Sequence, residues 1–205
     1  MKTKFLSSVG VCAAALLTSL PSQAGFVTSN SGFTTNTTYG FTEAALAQNA
    51  VVTGQYAGVT FPSLYQWVGT TGSCTYPNIQ NGCIGNFVTG GPSITPFSIG
   101  FGSIQTQAGF NFVSNPGSST FEAFLGSNSV GTSGSVATDP TSINNFFGFD
   151  ISSGFDSIRV TVGGSGGAMF LDNLTFDTSA SPVPEPGSLA LVGLALAVLS
   201  WRQRT

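Results

Sequence analysis

Period-two alternation of apolar residues constrains this chain more than any other feature. In Ile158-Arg159-Val160-Thr161-Val162 every second side chain is apolar, and Phe97/Ile99/Phe101, Phe110/Phe112, Phe121/Ala123/Leu125 and Phe147/Phe149/Ile151 repeat the parity. Neighbouring side chains of a strand point to opposite faces, so each run buries one face and wets the other. Turn-forming groups separate the runs: Asn115-Pro116-Gly117, Gly126-Ser127-Asn128, 131–134, Asp139-Pro140 and 163–167. Ala168 to Phe176 reads as the last strand. The pattern predicts an all-β fold, an antiparallel jelly-roll-like β-sandwich whose two packed sheets each hide one face. Upstream, 26–40 reads as an extended lead-in, and 51–53, 56–61 and 64–68 read as strands. Within 25–178 only 41–49 reads as a helix, with Thr42 as its N-cap and good helix formers behind it.

Both ends depart from this pattern. Met1-Lys2-Thr3-Lys4 is basic, 5–20 is largely apolar, and Pro21-Ser22-Gln23-Ala24 closes with small residues. That order describes a secretory signal helix, with signal peptidase expected to cut after Ala24. At the other end come Val183-Pro184-Glu185-Pro186, an apolar run over 189–199, Trp201, and then Arg202 and Arg204. The prolines cannot hold a helix, the apolar run suits lipid on every side, and the arginines favour the cytoplasmic face. The helix expected over 187–201 has 15 residues, or about 22 Å, against a bilayer core of about 30 Å. It suits a transient anchor better than a permanent span.

This tripartite tail resembles the PEP-CTERM sorting signal of exported proteins in exopolysaccharide-producing Gram-negative bacteria. The resemblance implies that an exosortase recognises Val183, Pro184, Glu185 and Pro186 and cuts near them. The protein would then pass from a transient inner-membrane anchor to the outer surface or extracellular matrix. The expected organisation is a signal peptide (1–24), a β-sandwich domain (25–178), a proline-rich linker (179–186) and a C-terminal membrane and sorting helix (187–205). The run from Phe147 to Phe176 is also similar to domains found upstream of such tails. It is more loosely similar to carbohydrate-binding jelly rolls whose last strand carries an Asp-Asn or Asp-Asp pair.

Charge narrows the function. Between 25 and 178 one arginine, Arg159, faces seven carboxylates, a net of −6. A nucleic-acid partner needs a basic footprint, and this stretch has none. The chain has no histidine and 25–178 has no lysine, so Ser-His-Asp, Cys-His and Schiff-base chemistry are all excluded there. Paired carboxylates remain the one catalytic option, with Glu43 and Glu122 as candidates. Solvated surface charge is the simpler account of both, and the chain is expected not to be an enzyme. Disorder is not expected either, because the chain has 18 Phe with which to build a core.

Cys12 falls in the signal, which leaves Cys74 and Cys83 as an even pair in an exported domain. The residues between them include Pro77-Asn78 and Asn81-Gly82, both turn formers. A structural disulfide is expected, since C-x-x-C spacing is absent. Two non-catalytic roles follow: a structural protein of envelope, biofilm or floc matrix, or a carbohydrate-binding module for a surface polysaccharide. The second would use exposed Tyr56, Tyr65, Trp67 or Tyr76 as stacking faces. No cofactor is expected apart from one structural calcium ion. In Phe170-Leu171-Asp172-Asn173-Leu174-Thr175-Phe176, strict alternation puts Asp172 on the core face with Phe170, Leu174 and Phe176. A charge there needs a bulge that turns it outward, backbone amides, or a cation. Jelly-roll glycan-binding domains place a structural calcium against a similar last-strand Asp, and Glu43 is the second ligand in this reading.

Overall fold

The structure, a computed structural model, describes residues 25–62, 64–69, 74–115, 117–163 and 167–177. Ala24, Val183, Pro184, Glu185, Pro186, Arg202 and Arg204 lie outside the described residues, as do the expected signal and C-terminal helices. The described residues form strands and no helix. The first eight strands are short: β1 (Gly25–Val27), β2 (Thr37–Tyr39), β3 (Val51–Val52), β4 (Val59–Thr60), β5 (Leu64–Val68), β6 (Thr75–Tyr76), β7 (Ile79–Gln80) and β8 (Gly82–Gly85). The later ones are long: β9 (Phe97–Asn115), β10 (Ser118–Leu125), β11 (Asn128–Ala137), β12 (Phe146–Val162) and β13 (Ala168–Phe176).

Eleven of these strands form one antiparallel sheet along the path β11-β10-β12-β9-β13-β8-β5-β3, with β1 added to β12, β2 to β13 and β4 to β9. The sandwich-like shape comes from this one sheet folding over itself, where the alternation pattern predicts two separate sheets. The fold line crosses β9 and β12. Asp150 pairs with Gln107 and Phe155 with Gln105, so five steps along β12 match two along β9. The excess makes a bulge in which Gly154 takes φ 82°, and a bulge increases bend and twist. Beyond it, Ser157–Val160 runs beside Phe97–Gly100 and feeds β10, while Phe146–Asp150 runs beside Gln107–Asn111.

The two halves meet through phenylalanine. Phe121 of β10 pairs with Val160 in one half. Its ring lies 5.0 Å from Phe147, 5.1 Å from Phe112 and 5.6 Å from Phe110, all in the other half. Ile158, Val160 and Val162 are buried while Arg159 and Thr161 are exposed, as their alternation requires. Close approach in the β9–β12 pair depends on glycine: a methyl on Gly148 would lie 2.6 Å from the Ala108 carbonyl oxygen and 2.8 Å from the Gly109 Cα.

Two local expectations are corrected. The first is the helix over 41–49, which is a run of turns with Phe41, Ala45 and Asn49 at φ 53°, 46° and 64°. Phe41 is drawn into the core against Tyr56 and Phe61. Its carbonyl accepts from the Gln66 side chain, and the Asn49 N–H donates to the Gln66 carbonyl. An isolated helix of two turns is marginal, and these tertiary contacts outweigh its propensity. The second is the parity of β13. A register shift between Asp172 and Thr175, with Asn173 at φ 51°, breaks the alternation. Met169, Leu171, Leu174 and Phe176 join the main core, whereas Phe170 belongs to a second cluster with Trp67, Cys74, Ile79, Cys83 and Val113. Asp172 is therefore not a neighbour of Leu174 and Phe176 on the core face.

Cys74 and Cys83 are bonded, with Cα atoms 5.7 Å apart, as their spacing predicts. The bond closes a loop whose middle is the β6–β7 hairpin, and the hairpin folds over β13.

Candidate functional site

Where the hairpin crosses the sheet it walls a cleft of about 740 Å³. The hairpin contributes Asn78, Gln80 and Asn81, and β13 contributes Asp172, Asn173 and Thr175. The segment from Asn30 through β2 adds Asn30, Phe33, Thr35 and Thr38, with Asn111 and Phe146 from β9 and β12. The β13 bulge positions the floor. Asparagine tolerates the left-handed backbone at 173, which frees the Asn173 side chain to donate to the Asn78 carbonyl at 2.7 Å. On the other side Asn145 donates to the Pro77 carbonyl, while its Oδ1 accepts from Asn78 at 3.2 Å and Asn111 at 2.9 Å. Carboxamides both donate and accept, so one buried asparagine joins hairpin and sheet.

Asp172 sits beneath, 2% exposed. Its Oδ2 accepts from the Gln80 N–H at 3.0 Å and its Oδ1 from the Asn173 N–H at 2.7 Å. Burial raises its pKa to about 7; the two amide bonds oppose that rise and the charge of Glu43 adds to it. A bulge and backbone amides thus both serve this carboxylate. Glu43 turns back on its own loop, accepting from the N–H groups of Gly40 and Thr42 at 2.9 and 3.0 Å. The fold nevertheless brings the predicted pair to one place. A methyl on Gly40 would lie 3.7 Å from Glu43 Oε1 and 3.9 Å from Asp172 Oδ1. No group of three or more Cys, Asp or Glu suited to a metal comes together among the described residues.

The other candidates are placed differently. Tyr56 and Trp67 are 3% and 7% exposed, so neither offers a free stacking face, and Tyr65 and Tyr76 are half-buried. The Tyr56 hydroxyl meets Gln66, and the Trp67 indole donates to the Phe87 carbonyl at 3.0 Å while its ring packs on Phe87 and Phe170. Glu122 pairs with Arg159 across β10 and β12, and Arg159 lies 4.8 Å over the Phe124 ring. The cleft-forming roles of Asn111 and Asn145 carry no local signal, because the residues they join are distant in sequence, whereas Asn173 is visible in sequence as the second member of the last-strand Asp-Asn pair. Asn78 and Asn81 are visible in sequence only as turn formers.

No curated protein matches the chain. A family model described as the PEP-CTERM protein-sorting motif matches residues 182–204, a stretch that covers the tail alone. The match spans the Pro-Glu-Pro lead, the apolar run and the arginines together. The chain therefore carries, at 182–204, a PEP-CTERM protein-sorting motif, the mark of an exported protein sorted by exosortase.

Proposed function

We propose that this protein is a non-catalytic component of the cell envelope or extracellular matrix of a Gram-negative bacterium, with a structural role in exopolysaccharide matrix, biofilm or floc. The sorting motif carries the reading. Signal peptidase releases the chain after Ala24, the 187–205 helix anchors it briefly in the inner membrane, and exosortase cuts near Val183, Pro184, Glu185 and Pro186. The folded cargo is the 25–178 domain, whose long strands serving both halves of a folded sheet suit a jelly-roll-like arrangement. Its surface of Ser, Thr, Asn and Gly suits a hydrated polysaccharide matrix. Mass spectrometry of the extracellular protein from cells with and without the sorting enzyme tests the proposal. The expected mature end lies near 184–187, and an intact Arg204-Thr205 end on the extracellular form would overturn it.

The second reading is a carbohydrate-binding module, and the polar cleft favours it over the four aromatic residues. Under either reading a structural calcium ion is proposed at Asp172 and Glu43, with backbone carbonyls completing the oxygens that calcium prefers. The convergence of the two carboxylates at Gly40 supports it. Thermal unfolding in excess calcium and in EGTA is the test. A fall in midpoint on chelation that Asp172→Ala abolishes supports the ion, and an unchanged midpoint removes it.

A further inference from the structure

We propose that the cleft between the disulfide-closed hairpin and β13 is a binding subsite for an uncharged polyhydroxylated chain, that is, an unsubstituted stretch of polysaccharide. This deepens the carbohydrate-binding reading and rests on it.

A cleft of about 740 Å³ lies within the range of ordinary ligand sites. Its walls are carboxamides and threonine hydroxyls with two phenylalanines, and no cationic side chain lines it. Sugar hydroxyls each donate and accept, and carboxamides answer both roles with fixed geometry. Gln80 and Asn81 are exposed at the rim, and among the described residues neither side chain has a hydrogen-bond partner. Phe33 packs edge-on against Phe146, with ring centres 5.5 Å apart, and stays half-buried. That leaves one apolar patch beside the amides, which suits the C–H face of a sugar ring.

Other ligand classes fit badly. An anionic chain would find no cationic side chain in the lining to pair with, since Arg159 is held by Glu122 on other strands. An apolar ligand would strip water from the rim amides without replacing those hydrogen bonds. The walls are also fixed beforehand. The Cys74–Cys83 bond closes the hairpin, and Asn145, Asp172 and Asn173 tie it to the sheet, so little ordering remains to be done on binding.

Affinity electrophoresis of the exported protein, purified from producing cells, through gels containing a neutral glucan, galactan or mannan, or a polyuronate, tests the site. At least one neutral polymer should retard the protein and the polyuronate should not. Gln80→Ala combined with Asn81→Gly should weaken retardation about tenfold, the loss of one or two hydrogen bonds, with an unchanged melting midpoint. Glycine suits position 81 because φ there is 69°. Retention by a neutral polymer that the double variant leaves intact would overturn the cleft assignment while keeping carbohydrate binding. Retention by the polyuronate alone would overturn the neutral-chain assignment while keeping carbohydrate binding, and retention by none of the four polymers would overturn both.

Discussion

Asp172 is nearly inaccessible, and burial lifts its pKa to about 7 even though two backbone N–H groups bond its carboxylate. Its ordinary value is 3.8, so between pH 4 and 7 the folded state holds a proton that the unfolded chain has lost. Unfolding releases that proton, and stability therefore falls as pH rises through this window and levels off above it. The expected fall is on the order of 4 kcal/mol from this group. Urea unfolding in EGTA across the window should show the slope, and Asp172→Asn should flatten it. Asp139 does not interfere, because the Thr141 hydroxyl and then its N–H lower its pKa and move its window below the ordinary value. Tyr56 behaves like Asp172 at alkaline pH. Burial, then the Glu43 charge, raise it from 10 to about 12. Stability should fall again as pH climbs from 10 toward 12, and Tyr56→Phe should remove that part of the fall.

The hairpin and the bent strand pair are the elements that shape the cleft, and each has a point of failure. Closing ten residues by a disulfide stabilises by roughly 2.5–3 kcal/mol in the chain-entropy model. A Cys74→Ser, Cys83→Ser double variant should lose about that much in chemical unfolding, and amide exchange should speed up first over 74–83. The asparagine clamp predicts that the sheet remains protected in that variant. In the strand pair, Gly148 faces Gly109 across β9 and β12 with no room for a side chain. Gly148→Ala would push the strands apart where the main core begins. It should cost more than the roughly 1 kcal/mol typical of point substitutions, measured by the same unfolding experiment.

For the molecule as a whole, cohesion comes from aromatic packing and very little from charge. Phe121 alone meets Phe26, Phe110, Phe112 and Phe147, so it joins the halves of the folded sheet. Phe121→Ala should cost about 3–5 kcal/mol in unfolding free energy. By contrast, Arg159 and Glu122 form a partly exposed pair worth about 1 kcal/mol or less. Arg159→Ala should therefore lower the melting midpoint by only a few degrees, which a thermal scan of the variant beside the unchanged protein checks.

The sequence by itself determined the strand content, the burial parity of Ile158, Val160 and Val162, the Cys74–Cys83 pairing and the sorting tail. Each of these is local: alternation acts over neighbours, the two cysteines are nine positions apart, and the tail is a contiguous motif. Tertiary structure decided the rest. Alternation says that Phe110 and Phe121 are buried, yet only the β9–β12 bulge makes them face one another across one folded sheet. Residues 41–49 have helical propensity, but Gln66 of β5 holds both ends of the run, its side chain donating to the Phe41 carbonyl and its own carbonyl accepting from the Asn49 N–H. The cleft was the least legible feature. Its walls come from residues as far apart as Asn30 and Thr175, and Asp172 reaches its floor through a change of register that strict alternation cannot express.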